Sequence, residues 1–172
     1  MIEFRVLGAF EALEDQRPLA LGGPKQRALL VVLVLCRGEV VSSDRLIETV
    51  WGERAPSSAV KIVQGYVSQL RRALGEGVLV TRGHGYLLET ASAQVDVDRF
   101  EGLVSEGRRL LRSGDARGGR ELLREGLALW RGPPLADFAY EPFAQGEIAR
   151  LSEALKEMGV RLMLAEGKER WD

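Results

Sequence analysis

Ile2, Phe4 and Val6 alternate with more polar neighbours, the two-residue period of a half-buried strand. "FEALED" and "PLAL" continue as short strands around the turn "DQRP" (15–18), so the chain opens with a small antiparallel sheet. "GGPKQRALLVVLVLCRG" then reads as a helix, with Pro24 at a first helical position and Gly38 as its C-terminal stop. "EVVS" is a short extended link. Ser43 is placed to cap a second helix, "DRLIETVWG", with Asp44 in its first turn and Gly52 after its last.

After the loop "ERAPSS", Ser57 or Ser58 can cap a third helix running to Leu74. Val63, Val67, Leu70 and Leu74 repeat on it at helical spacing and predict one buried stripe. At about 100° per residue the opposite face holds Lys61, Gly65, Ser68 and Arg72, with Gln64, Gln69 and Arg71 on its flanks. That face carries basic, small and amide side chains and no acid. "VLVT" and "YLL" follow as strands, and "RGHG" between them is a hairpin turn. Sheet, three helices and a hairpin, in that order, make a winged helix-turn-helix.

From Val95 onward the pattern is helical throughout. Phe100, Leu103, Val104, Gly107, Leu110 and Leu111 mark one helix, and "SGDARG" breaks it. Gly119, Leu122, Leu123, Gly126, Leu127 and Trp130 mark a second. Leu151, Leu155, Met158, Leu162 and Ala165 mark a third within 143–166. Small residues on the contact faces suggest tetratricopeptide-like hairpins. Three helices make one and a half such repeats, so the Leu155/Met158/Leu162 side is expected to be exposed unless covered. The chain is expected to be shorter than its natural length or to need a partner there.

Composition narrows the class. The chain has 172 residues, 45% of them apolar, enough for a core, and a net charge of −1. The charge is uneven: 57–88 carries Lys61, Arg71, Arg72 and Arg82 against Glu76 alone. Cys36 is the one cysteine, which excludes a disulfide framework and a cysteine zinc site. No signal peptide is legible, and the apolar run 28–36 is too short to span a bilayer. A cytoplasmic protein without membrane attachment is expected.

No enzyme site is complete. His84 is the only histidine, and no G-x-S-x-G elbow surrounds a serine. "GGPKQR" lacks the spacing of a phosphate loop and reads as a turn into a helix. Asp96 and Asp98 lack the convergent oxygens of a cation site and read as helix N-terminal acids. No cofactor and no metal are expected. Nucleic acid fits better: a helix enters the major groove, and an arginine on a hairpin suits the minor groove. Gly65 would let the helix backbone approach closely. Lys61, Arg71 and Arg72 would neutralise phosphates, and Gln64 and Gln69 could read bases. An ordinary amphipathic helix with a solvated basic side is the competing reading of this helix alone. Trp51 reads as core or as an indole donor to a phosphate. His84 reads as a wing-tip contact whose charge would strengthen binding as pH falls.

"GEVVSSDRLIETVWG", "YVSQLRRAL" and "VTRGHGYLL" resemble the OmpR/PhoB-type winged-helix DNA-binding domain. "VDVDRFEGLVSEGRRLL" and "ALALWRGPPLADF" resemble the bacterial transcriptional activation domain. That pair in that order resembles the Streptomyces antibiotic regulatory protein family. The resemblance implies an α+β winged helix over 1–92 and an all-α tetratricopeptide-like domain over 93–172. It also implies a non-enzymatic activator of a secondary-metabolite (antibiotic) gene cluster, associated with the nucleoid. Its partners would be double-stranded DNA bearing direct repeats upstream of promoters, RNA polymerase holoenzyme, including its sigma factor, and a second copy of the chain in a homodimer on DNA. Base contacts are implied for Gln64, Gly65 and Gln69, and phosphate contacts for Trp51, Lys61, Tyr66, Ser68, Arg71 and Tyr86. Arg82 is implied in the minor groove. The loop 52–58, with Glu53, Arg54, Ala55 and Pro56, is implied as the polymerase-facing surface. Gln69 stands where several such regulators carry arginine, and Gly65 replaces a larger residue, so base preference does not carry over. No receiver domain precedes the winged helix in this sequence, so aspartyl phosphorylation is not the expected switch. A protein-interaction adaptor without direct DNA binding is the alternative.

Overall fold

The computed structural model describes residues 1–169. They divide into two compact units: Met1–Phe4 with Glu11–Gln94, and Arg5–Phe10 with the chain from Val95 onward. The second unit thus takes in a short N-terminal segment that lies far from it in sequence.

In the first unit, β1 (Ile2–Arg5), β2 (Glu11–Glu14) and β3 (Arg17–Pro18) form the small sheet, but β3 lies in the expected turn 15–18 and "PLAL" beyond Pro18 is not a strand, because the turn takes only Asp15 and Gln16. Asp15 and Gln16 make the β2–β3 turn, both at left-handed φ (49° and 66°), the geometry of a two-residue hairpin. The helix α1 (Pro24–Leu35) begins with Pro24 and buries Leu29 through Val34 almost completely. A helix apolar all round belongs in the middle of a core, and that is where this run sits. It stops at Cys36, two residues before Gly38. Gly38 (φ 79°) instead turns the chain so that its N–H donates to the Leu88 carbonyl.

The link 39–42 contains a two-residue strand, β4 (Val41–Ser42), followed by α2 (Ser43–Trp51). Ser42 is the cap of α2, its hydroxyl accepting from the Arg45 N–H at 3.1 Å. Ser43, the expected cap, is already helical, and its own N–H and hydroxyl are both engaged with the hairpin described below. A 3-10 turn at Gly52–Arg54 leads to α3 (Ala59–Leu74). Ser58 stands at its start without a side-chain cap bond. The α3 stripe is buried as expected: Val63, Val67, Leu70 and Leu74, with Ala59 added. The hairpin of β5 (Leu79–Arg82) and β6 (Gly85–Leu88) is the wing, and β4 pairs with β6 as its third strand. The strand β7 (Ala93–Val95), which the helical reading after "ETASAQ" missed, completes the first sheet in the order β3–β2–β1–β7.

The second unit holds α4 (Asp96–Arg112), α5 (Ala116–Ala128) and α6 (Gln145–Glu169). The α4–α5 crossing is close because it is built on glycine. A Cβ on Gly119 would come within 2.7 Å of Leu111 and 2.9 Å of the Gly107 carbonyl. Asp115 caps α5, accepting from the Gly118 N–H at 2.9 Å. Trp130 packs edge-on against Phe100, with ring centroids 5.3 Å apart. On α6, Met158 and Leu162 are buried and Leu155 half-buried, against the expectation that this side is exposed. Gly126 of α5 admits the Met158 sulfur. The exposed apolar residues of α6 are Val160, Met163 and Leu164.

The segment Arg5–Phe10 is gripped from four places. The Asp96 carboxylate accepts the Val6 and Leu7 N–H groups at 2.8 and 3.1 Å. Arg131 donates its N–H to Leu7 and its guanidinium to the Ala9 carbonyl; Leu135 donates to Val6; Asp137 accepts from the Phe10 N–H. Burial pushes the Asp96 carboxyl above its ordinary value, opposed by the two N–H donors and by the charge of Arg131. Among the described residues no helix is long and apolar enough to cross a membrane.

Candidate nucleic-acid interface

The outer face of α3 is what its sequence pattern leaves over. Lys61, Gln64, Gly65, Ser68, Gln69 and Arg72 are all exposed. No ion pair engages Lys61 or Arg72 among the described residues, so both charges are available to an external anion. Gly65 is informative. A Cβ there would meet nothing within 4 Å, so packing does not require glycine. Glycine inside a helix costs roughly 0.5–1 kcal/mol relative to alanine. The residue therefore weakens the helix without any compensating contact inside the protein.

Arg71 sits differently from its neighbours. It is half-buried, its Nε donating to the Leu79 carbonyl and its Nη2 to the Thr81 hydroxyl, each at 2.8 Å. Its guanidinium also lies 5.9 Å from the centroid of the Tyr86 ring. Arg71 thus pins the wing to α3, and removing it would change packing as well as charge. Tyr86 is only 8% exposed, held between this contact and β4, and offers little more than an edge to the outside.

The wing turn is Gly83–His84, closed by the Arg82–Gly85 pair. Gly83 has φ 56°, which a first central position of this turn class demands. The His84 carbonyl accepts both the N–H and the hydroxyl of Ser43 at 3.0 Å, so the wing tip is fastened to the start of α2. Gly85 is required by proximity: a Cβ there would overlap the Val41 carbonyl oxygen and come within 2.9 Å of the Val40 side chain. The Arg82 side chain is 58% exposed, with a loose 3.6 Å approach to Glu89 just after the paired strand.

Part of this surface bounds one open groove of about 400 Å³. Gln64 of α3, Ser43 and Asp44 of α2, and His84 and Tyr86 of the wing are among its walls. Lys61, Gly65, Ser68, Gln69, Arg71, Arg72 and Arg82 do not line it. Asp44, read from sequence only as a helix-start acid, puts one negative charge at the groove.

Trp51 and Tyr66 stack at 6.2 Å with rings 10° from parallel, and the Lys25 ammonium lies 5.5 Å from the Trp51 ring. Sequence reading named Trp51 and Tyr66 singly and missed Lys25. No local signal joins a residue of α1 to one 26 positions later. Glu53, Arg54, Ala55 and Pro56 are all exposed on the turn before α3.

Comparison with known proteins fits this geometry. A family described as "Transcriptional regulatory protein, C terminal" matches residues 16–88, and the bacterial transcriptional activator domain matches 95–169. The chain belongs to the Streptomyces antibiotic regulatory protein family. Its winged-helix unit followed by a helical unit is the family's architecture. The regulatory protein AfsR of Streptomyces coelicolor is 40% identical over 153 residues, covering 88% of this chain and 15% of AfsR. The transcriptional regulatory protein MoaR1 of Mycobacterium tuberculosis is 36% identical, covering 96% of this chain and 55% of MoaR1. The structure of Mycobacterium tuberculosis EmbR, solved in complex with a low-affinity phosphopeptide, superposes with a TM-score of 0.89 at 31% identity. It matches 96% of this chain and 45% of EmbR. The chain therefore spans from about a seventh to about half the length of these members of the antibiotic regulatory protein family.

Proposed function

We propose that the chain is a sequence-specific, double-stranded-DNA-binding transcriptional activator acting in the cytoplasm at the nucleoid. The observation that carries the reading is the exposed α3 face, where Gly65 has no internal reason to be glycine and lies between free basic and amide side chains. A major groove admits such a helix. Gln64 and Gln69 would read base edges, each productive contact contributing about 1–3 kcal/mol of discrimination. Lys61, Ser68 and Arg72 would meet phosphates; Trp51 and Tyr66 form a stacked pair whose polar edges suit the same role. Arg82 would enter the minor groove beside the wing, with His84 at its tip. Arg71 and Tyr86 act chiefly by holding the wing against α3.

The names of the relatives and the matched regulatory domains support transcription control as the output. By family likeness, the targets are direct repeats upstream of promoters, and the exposed turn Glu53–Pro56 faces RNA polymerase holoenzyme and its sigma factor. Two copies on adjacent repeats would form the working complex, and a secondary-metabolite gene cluster would be the regulated unit.

Gly65→Ala tests the reading because it separates stability from binding. Alanine fits the open space and should raise helix stability by about 0.5–1 kcal/mol. Against a duplex selected from random DNA by the wild-type chain, its affinity should fall severalfold while its unfolding temperature holds or rises. Equal affinity of both proteins would remove the close approach of α3 from the account.

A further inference from the structure

The second unit carries a groove that the DNA-binding reading does not use. Two adjoining hollows, about 370 and 270 Å³, lie along α4 and α6 and share Arg108 and Arg112 as walls. Phe100, Val104, Leu111 and Ala154 give the groove an apolar lining, and Arg161 of α6 closes the smaller hollow. Three arginines thus converge on one concave surface.

Their present partner is Glu157. Its carboxylate lies 2.9 Å from Arg108 and 3.0 Å from Arg161, and these two cations hold it below the usual carboxylate range. One carboxylate for three guanidinium groups leaves the groove short of negative charge. Arg112 has no acidic partner among the described residues. The Nε of Arg108 is buried and donates to nothing among them, although a buried donor normally finds an acceptor. Glu101, the other acid of the lining, is held by Arg150.

We propose that this α4–α6 groove is a docking site for an acidic peptide segment of a protein partner. The guest's carboxylates would meet Arg112, Arg161 and Arg108, and its apolar side chains the Phe100–Val104 floor. Guanidinium groups recognise carboxylates through paired, charge-assisted hydrogen bonds. The apolar lining, which a sugar–phosphate backbone could not use, favours a peptide over a nucleic acid here. Glu157 is a resident carboxylate in the guest's place, so binding requires Arg108 and Arg161 to exchange it.

The test uses the full chain and a fluorescein-labelled peptide of alternating glutamate and leucine pairs, read by anisotropy at moderate salt. Arg112→Ala and Arg161→Ala, both exposed and removable without touching the core, should each weaken binding about tenfold. Glu157→Gln should strengthen it severalfold, whereas Glu121→Gln, on α5 and paired with Arg117, should leave it unchanged. The proposal is overturned if the glutamine analogue of the peptide binds as well as the parent. It is equally overturned if the arginine variants bind like wild type, if Glu121→Gln strengthens binding as much as Glu157→Gln, or if duplex DNA displaces the peptide.

Discussion

Gly85→Ala is expected to loosen the wing and cost more than tenfold in DNA affinity. The added methyl group would overlap the Val41 carbonyl oxygen, which is backbone and has no rotamer to escape by. Overpacking of this kind typically costs about 1–3 kcal/mol. Here relief requires β4 to part from β6, breaking the Val41–Tyr86 and Ser42–Gly85 pairing. The two Ser43 bonds to the His84 carbonyl follow directly after that pair, so the wing tip loses its anchor on α2. Both the groove at Gln64 and the position of Arg82 depend on that anchor. The measurement is unfolding by circular dichroism together with binding to the selected duplex. A variant with wild-type melting and affinity would mean that the β4–β6 contact does not position the wing. Gly83→Ala disturbs the turn by a different route, φ rather than contact, and does not substitute for this test.

Asp96→Ala is expected to produce the largest loss of stability. It strands the N–H groups of Val6 and Leu7, both residues fully buried, with no other acceptor in their geometry. Each unpaired buried donor costs about 1–3 kcal/mol, so the change should cost about 2–6 kcal/mol. For a chain of this length that lowers the unfolding temperature by roughly 4–24 °C. Asp96→Asn should fall between, since its amide oxygen serves one N–H while its NH2 group faces the other. The pH dependence has a definite sign. A carboxyl whose folded value is raised favours folding most below its unfolded value, and that contribution is lost as pH rises through the raised value. Asp96→Asn should therefore remove a stability gain on acidification from that window. An Asp96→Ala protein that melts with the wild type would show that Arg131, Leu135 and Asp137 hold the 5–10 segment without it.

What could be read in the sequence was local or periodic. The Val63–Val67–Leu70–Leu74 stripe determined the orientation of α3, and so which side chains face outward. "RGHG" marked the wing turn, and the small residues at 107 and 119 marked the α4–α5 crossing. What could not be read was set by distant partners. Asp96 looked like a helix-start acid because its N–H donors lie 90 positions away. Arg71 looked like its neighbour Arg72, yet Leu79 and Thr81 turn it inward. Ser42 displaced Ser43 as the α2 cap because pairing with the wing keeps Ser42 extended and starts the helix at Ser43, and the Met158 side of α6 is covered because Gly126 lets it approach α5. In each case the residue type permitted both roles, and tertiary contact chose between them.

The most direct test of the central claim, that the α3 face and the wing lie against DNA phosphates, is the salt dependence of duplex binding. Affinity for the selected duplex should fall steeply as salt rises, since each neutralised phosphate releases counterions. Lys61→Ala should weaken binding to selected and scrambled duplexes alike, Arg82→Ala should weaken the selected duplex more than the scrambled one, and each should reduce the log–log salt slope by about 1. Arg71→Ala is a poorer probe because it also frees the wing. Wild-type slopes in both Lys61→Ala and Arg82→Ala, or no salt-dependent duplex binding at all, would contradict the account.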